Sequence, residues 1–284
     1  MTKTHVEVLQ WASAFFIEHG REETAARLLM QHVTNKNFSA LMMAMHDAMP
    51  LAHIELFEAM VHEHLTGRPV QYITGVEEFY GRSFFVDESV LIPRPETEEL
   101  IVGTLARMKK LFNTDALRVA DIGTGSGAIA ITMKLEQPML DVVATDLSES
   151  ALVTAKKNAA ALEADIAFRL GDLTAPLAGE KFDVILSNPP YIAYDDMATM
   201  SDVVTEHEPH SALFADEDGL ILYRKLAEQV GAIIHDTALI GVEIGYTQGA
   251  HVSAFFREHF PNAHVEVVQD INGKDRIVFC EITP

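Results

Sequence analysis

The hydrophobic rhythm of the chain changes twice. Up to about residue 68 the apolar positions recur only at helical spacing. Val8, Leu9, Ala12, Phe15 and Phe16 form one stripe, stopped at His19-Gly20. Thr24 to Val33 carries a second through Ala25, Leu28 and Leu29. Ser39 is placed to cap a third containing Leu41, Met42 and Met45, and a fourth starts after Pro50 and runs through Ile54, Phe57, Val61 and Leu65 to Gly67. From Val70 to Ile92 the pattern turns strand-like. Val70-Gln71-Tyr72-Ile73 and Phe84-Phe85-Val86 read as extended runs broken by Gly75 and Gly81, which predicts a hairpin linking two domains. Pro93 and Pro95 bracket Arg94, and Glu96 to Phe112 reads as a helix whose acidic first turn suits its dipole.

After Thr114 short apolar strands alternate with helices. Strands are predicted at 117–122, 141–146, 166–171, 182–187, 239–245, 264–269 and 276–282, and helices near 127–136, 148–162, 219–235 and 248–259. Such alternation means a parallel sheet covered on both faces. Only Ile271-Asn272-Gly273-Lys274-Asp275 joins the last two strands, too short for a parallel crossover, so that pair must be antiparallel. The predicted fold is α/β: a doubly wound, mostly parallel seven-stranded sheet with an antiparallel last strand, preceded by a small helical bundle. This arrangement resembles the class I S-adenosylmethionine-dependent methyltransferase fold. The expected domains are 1–68 (helical), 69–92 (β-hairpin linker) and 93–284 (methyltransferase).

Composition narrows the setting. With 48% hydrophobic residues the chain has ample core, and a net charge of −21 disfavours broad affinity for phosphate backbones. One cysteine, Cys280, cannot form an internal disulfide and reads as a small buried apolar residue. No apolar run approaches the ~20 residues that span a membrane, so a soluble, cytoplasmic protein is expected. The methionines at 42, 43, 45 and 49 read as core filling. His62-Glu63-His64 suggests a metal, but residues two apart point to different sides of a helix, so a solvated face is expected and no metal site.

Candidate chemistry gathers at the strand ends. The first strand runs into Asp121-Ile122-Gly123-Thr124-Gly125-Ser126-Gly127 and then a helix, a turn that lets a ligand press against backbone at a helix N-terminus. The third glycine comes one residue too early for a dinucleotide fingerprint. Asp146 ends the second strand, where an acid accepts from ribose hydroxyls, and Asp172 ends the third, beside Leu173, where it can accept from an adenine amino group. Each acid alone is also a plausible helix cap or turn residue, but caps have no reason to line one crevice. Asp121 is expected to brace the loop from below and to reach the amino group of a methionine tail.

Ser187-Asn188-Pro189-Pro190-Tyr191 ends the fourth strand. Two prolines remove two N–H donors and forbid a continuing ladder. The Pro189 carbonyl and the Asn188 side-chain oxygen are then two acceptors for the hydrogens of an NH2 group, and Tyr191 offers a face for stacking a planar group. Acceptors there stabilise the positive charge that grows on a weakly nucleophilic nitrogen as it attacks a sulfonium methyl. No His or Glu is visibly placed to take the departing proton.

At these residues the chain resembles the release factor glutamine N5-methyltransferases. The resemblance covers roughly 67–284 through Gly67-Arg68-Pro69-Val70-Gln71-Tyr72-Ile73-Thr74-Gly75, Leu91-Ile92-Pro93-Arg94-Pro95-Glu96-Thr97-Glu98, the glycine loop and Asn188 to Ile192. Glu208-Pro209-His210-Ser211-Ala212-Leu213, Asp218-Gly219-Leu220 and Gly273-Lys274-Asp275-Arg276 extend it. It implies methylation of the glutamine in the Gly-Gly-Gln tripeptide of class-1 peptide chain release factors. It also implies S-adenosylmethionine held by Gly123 to Gly127, Asp146 and Asn188, and a glutamine amide held by Asn188 to Tyr191. Arg94 and Thr97 would close the pocket mouth, and residues 1–66 would dock the release factor. Where some relatives carry an aromatic after the third-strand acid, this chain has Leu173, so adenine contacts there would be apolar.

Three other readings stand beside it. A sister group methylates a ribosomal-protein glutamine, but typically shows Ile-Pro-Arg-Ser-Pro and a Cys in the glycine loop. An adenine-N6 nucleic-acid methyltransferase uses the same four-residue motif but needs a basic groove. The third is a non-catalytic module that binds cofactor or a partner, and the intact glycine loop, acids and Asn188 argue against such decay.

Overall fold

The computed structural model describes residues 3–284 and divides them into two compact units. The first comprises residues up to 76 together with 201–207; the second comprises 77–200 and 208–284.

The first unit is helical. α1 (His5–Glu18) starts at a capping box in which Thr4 Oγ1 accepts from Glu7 N and Glu7 Oε2 accepts from Thr4 N. α2 (Thr24–Thr34) ends at Asn35 in the left-handed region, and α4 (Leu51–Leu65) follows α3 (Phe38–Met43). Their core holds Val8, Phe16, Leu29, Met30, Leu41, Met49, Phe57 and Val61. Three details depart from expectation. Asn37, not Ser39, caps α3, accepting from Ala40 N at 2.9 Å. Leu28, Met42 and Met43 are exposed, because short α3 turns only Leu41 fully inward and α2 buries its Leu29 side. His64, expected in a solvated face, is buried against Phe16 with Nδ1 on the Arg68 carbonyl at 2.8 Å, and burial holds its pKa down.

Val70-Gln71-Tyr72-Ile73, expected as a strand, is a helical turn, α5 (Val70–Thr74). Pro69 presets its start and Gly75, at φ 74°, closes it, which outweighs the strand preference of Val, Tyr and Ile. The hairpin lies just beyond, as β1 (Val76–Phe79) and β2 (Arg82–Phe85). Its two turn residues, Tyr80 and Gly81, both have positive φ, the requirement of a type I′ turn.

The second unit is the predicted α/β sheet. α6 (Pro95–Leu111) precedes β3 (Arg118–Ile122), α7 (Ala128–Glu136), β4 (Asp141–Asp146), α8 (Glu149–Ala161), β5 (Ala167–Leu170) and β6 (Phe182–Ser187). A small pair, β7 (Ile192–Ala193) with β8 (Phe214–Ala215), then leads to β9 (Ile234–Glu243), β10 (His264–Gln269) and β11 (Asp275–Ile282). The seven-stranded sheet has the order β10-β11-β9-β6-β3-β4-β5. β11 is antiparallel to both neighbours, as the short final connection requires, and the other pairs are parallel. The helix expected at 219–235 spans only Ile221–Val230. β9 begins at Ile234, earlier than predicted, where its edge continues the pairing with Phe182.

One apolar cluster covers each face of the sheet. Cys280 is buried in one of them, which pushes its thiol up to about 12. On the other, a Cβ at Gly103 of α6 would lie 2.7 Å from the Phe279 ring and one at Gly241 would lie 2.8 Å from it. The two glycines let helix and sheet close on that ring, and the Arg107 guanidinium sits 3.9 Å from its centroid. Among the described residues no helix is long and apolar enough to cross a membrane.

Phe279→Ala should therefore cost about 3–5 kcal/mol in urea denaturation, the scale of emptying a fully buried aromatic site. Ile271→Ala, at a side chain 92% exposed, should stay within about 0.5 kcal/mol. Equal midpoints for the two variants would show that the ring does not bear on this core.

Candidate active site

Parallel register decides which side chains meet. Ile122 of β3 pairs with Thr145 of β4 on one side and with Ser187 of β6 on the other, and Ser187 pairs with Val242 of β9. Asp146, Asn188 and Glu243 are each one residue further on, so the carboxyl edge carries all three. The connections turn in opposite directions from the β3–β6 pair, the point where such sheets open a ligand crevice.

The glycine loop opens that crevice. Gly123, Gly125 and Gly127 all have positive φ, and a Cβ at Gly123 or Gly125 would meet nothing within 4 Å. Their open side is room for a ligand against bare backbone. Gly127 serves packing instead: a Cβ there would lie 2.8 Å from Ile131, so the loop joins α7 closely. The amides of Gly123 and Thr124 donate to the Thr145 carbonyl at 2.9 Å each. Asp146 Oδ2 accepts from Gly125 N at 2.8 Å and Oδ1 from Ser148 N at 2.8 Å. Asp146 is thus both a turn-closing acid and a wall of the cavity. Asp172 and Leu173 form another part of that wall, and Leu173 stands at φ 44°, unusual for a non-glycine residue and a strain concentrated where a ligand would lie.

Asp121 sits beneath the loop, fully buried. Oδ2 accepts from Thr124 Oγ1 at 2.6 Å and Ala130 N at 3.1 Å, while Oδ1 has no partner. Burial pushes its pKa up to about 7, against the pull of those two donors.

On the other side, Asn188 Nδ2 donates to Thr97 Oγ1 at 3.2 Å, and Thr97 Oγ1 donates to Glu243 Oε2 at 2.5 Å. The Tyr191 hydroxyl donates a long 3.5 Å contact to Glu243 Oε1, and Tyr223 Oη donates to the Glu243 backbone carbonyl at 2.7 Å. Glu243 is 1% exposed, and burial pushes its carboxyl up to about 7 while the Thr97 hydrogen bond and Arg276 draw it down. Burial, then the nearby Glu243, raises the Tyr191 phenol, which stays protonated. Arg94 stands at the cavity wall in an ion pair with Glu208, whose Oε2 also accepts from Ile92 N at 3.3 Å.

The cavity therefore brings together Arg94, Thr97, Gly123, Thr124, Gly125, Ser126, Asp146, Asp172, Leu173, Asn188, Pro189 and Pro190. Asp121, Gly127 and Tyr191 support it from behind. Tyr191 packs against the core, its carbonyl accepting from Gln248 Nε2 at 2.9 Å, so its ring is not the open stacking face expected. Two buried acids escaped the sequence reading. Glu208 belongs to a quoted segment but has no periodic signal. Glu243 is masked in the sequence because the apolar pattern continues through Ile244, so the expected strand to 245 encloses a residue that in fact ends it. Its signal in the sequence is an acid set inside an otherwise apolar run, Ala238 to Ile244.

Comparison with known proteins fits this geometry. Residues 7–75 match the PrmC N-terminal domain and residues 97–215 the methyltransferase small domain. A release factor glutamine methyltransferase of Bacillus cereus is 49% identical over 97% of this chain and 98% of its own length. Those of Bacillus subtilis and Staphylococcus aureus are 44% and 42% identical, over 97% and 92% of this chain and 97% and 93% of their own lengths. A methyltransferase from Pyrococcus furiosus superposes with a TM-score of 0.53 at 15% identity, over 80% of this chain and 98% of its own, which shows the shared fold alone. The fold is that of class I methyltransferases, whose methyl donor is S-adenosylmethionine, and the full-length identity places this chain in the release factor glutamine methyltransferase family.

Proposed function

We propose that the chain transfers a methyl group from S-adenosylmethionine to the side-chain amide nitrogen of the glutamine in the Gly-Gly-Gln tripeptide of class-1 peptide release factors. The observation that carries this reading is the orientation of Asn188. Its nitrogen is committed to Thr97 and the residue lines the cavity, an arrangement in which its oxygen would be the group offered to a ligand. With the Pro189 carbonyl it would form a pair of acceptors matched to an amide NH2. The names of the relatives support reading the amide as that of a glutamine and its carrier as a release factor.

The cavity suits a nucleoside with an amino-acid tail. The bare glycine backbone would take the tail, Asp146 the ribose, and Asp172 with Leu173 the adenine. The partnerless Oδ1 of buried Asp121 is an acceptor that suits a ligand ammonium in the loop. Bound S-adenosylmethionine supplies an electrophilic methyl on a sulfonium.

An amide nitrogen has a delocalised lone pair and little nucleophilicity. Asn188 and Pro189 would hold both its hydrogens, aim the nitrogen and stabilise the positive charge that develops there. The rigid Pro189-Pro190 backbone keeps those acceptors fixed during the reaction. The methylated nitrogen is a strong acid, and its extra proton can leave to water.

Given labelled S-adenosylmethionine, the protein should label a release factor only when the Gly-Gly-Gln glutamine is present; labelling that survives its change to alanine refutes the substrate. Asn188→Ala should lower kcat by on the order of 10²-fold, the scale of losing one preorganised partner. An almost unchanged kcat would remove Asn188 from this role. Asp146→Ala should weaken cofactor binding about 10-fold or more, the worth of a hydrogen bond to a charged group. Calorimetry giving an unaltered Kd would contradict the ribose assignment.

A further inference from the structure

Asn188 can hold an amide NH2 only with its oxygen toward the cavity; with its nitrogen there, donors would face donors. The two ends of a carboxamide have nearly the same shape, so packing alone does not choose between them. The choice is made on the far side. Thr97 has one hydroxyl proton, and Glu243 Oε2 takes it at 2.5 Å. Thr97 Oγ1 is then left only as an acceptor, and the Asn188 nitrogen turns toward it at 3.2 Å. The Asn188 amide also donates toward Glu243, which favours the same orientation.

We propose that the Glu243 carboxylate, acting with Thr97, sets the polarity of the Asn188 amide and so makes it an acceptor for the substrate nitrogen. Glu243 is a positioning residue in this scheme, since it is buried behind Thr97 and does not line the cavity. The proposal deepens the reading of the site as a glutamine methyltransferase and rests on it for its consequence in turnover.

The surroundings of Glu243 make the arrangement sensitive to pH. From α6 it faces Thr97 and the charge of Glu96; from the segment after β6, Asn188 and Tyr191; from the helix Ile221–Val230, Tyr223. From β11 it faces Arg276, which is itself paired with Asp270. Burial and Glu96 push the carboxyl up, Thr97 and Arg276 draw it down, and the result is about 7. Above that pH Glu243 is ionised and claims the Thr97 proton. Below it the acid carries its own proton, which it can donate to Thr97 Oγ1. The hydroxyl proton is then free for Asn188 Oδ1, and the amide turns its nitrogen to the cavity. Methyl transfer should therefore fall as pH drops through about 7, with the loss in kcat.

The test uses the full chain labelled with ¹⁵N in asparagine and ¹³C in glutamate, with Asn188→Ala and Glu243→Gln assigning the two signals. In a pH titration across neutrality the Asn188 side-chain amide should shift with the same midpoint as the Glu243 carboxyl. The shift should persist in Thr97→Ser and shrink in Thr97→Val. In parallel, Glu243→Gln holds a permanent amide donor where the protonated acid would have one. It should lower kcat for the release factor by on the order of 10-fold and lose the pH dependence near neutrality, with binding of S-adenosylhomocysteine reporting that it folds.

An Asn188 signal that ignores the Glu243 titration overturns the proposal, as does a folded Glu243→Gln enzyme with the wild-type pH profile. Should that variant fail to fold, the wild-type titration and the Thr97 pair decide alone. If the wild-type protein labels no release factor at any pH, the substrate reading falls, while the NMR titration still decides the polarity of Asn188.

Discussion

Everything at the site depends on the register in which β6 sits between β3 and β9. Ser187 pairs with Ile122 on one side and Val242 on the other. Because side chains alternate along a strand, a one-residue slip would turn Asn188 and Glu243 away from each other. The apolar residues of β6, Val184, Ile185 and Leu186, are fully buried on the two faces, so such a slip would also exchange the contents of both cores. The energy that holds the geometry of the site is therefore mostly hydrophobic burial in the sheet, well away from the polar groups it positions.

That scaffold tolerates two expensive groups. Asp121 and Glu243 are both fully buried carboxyls, and burial raises both toward neutrality. Among the described residues neither forms an ion pair of the kind that Arg94 and Glu208 make. Their charge is supported by hydroxyl and backbone donors, and for Glu243 also by the field of Arg276. A carboxyl supported this way stays close to the balance between its two forms, which makes its ionisation responsive to whatever occupies the neighbouring cavity.

The sheet, its strand ends and the antiparallel finish were legible because each is a local pattern: short apolar runs, a glycine loop, a connection too brief to cross over. The four-residue Asn188 to Tyr191 motif was legible for the same reason. What failed were cases where a neighbour outweighs propensity. Val70 to Ile73 carry strand-forming side chains, yet Pro69 and Gly75 at either end make one helical turn of them. Asn37 and Ser39 are both good caps, and only the path of the chain into α3 selects Asn37. His64 sits in a polar triplet, but the fold packs it on Phe16.

The two halves of the site divide along the same line. Asp121 draws its donors from Thr124 and Ala130, three and nine residues away, so the whole brace of the glycine loop lies in one stretch of sequence and reads as a motif. Glu243 draws its donor from Thr97, 146 residues away, and Asn188 reaches the same hydroxyl across 91. No spacing along the chain records that meeting; α6 and the ends of β6 and β9 must first be packed. The glycine-loop side of the cavity is thus encoded locally and the Asn188 side by the tertiary fold. A change in α6 can accordingly alter how Asn188 is held while leaving the glycine loop and its acid intact.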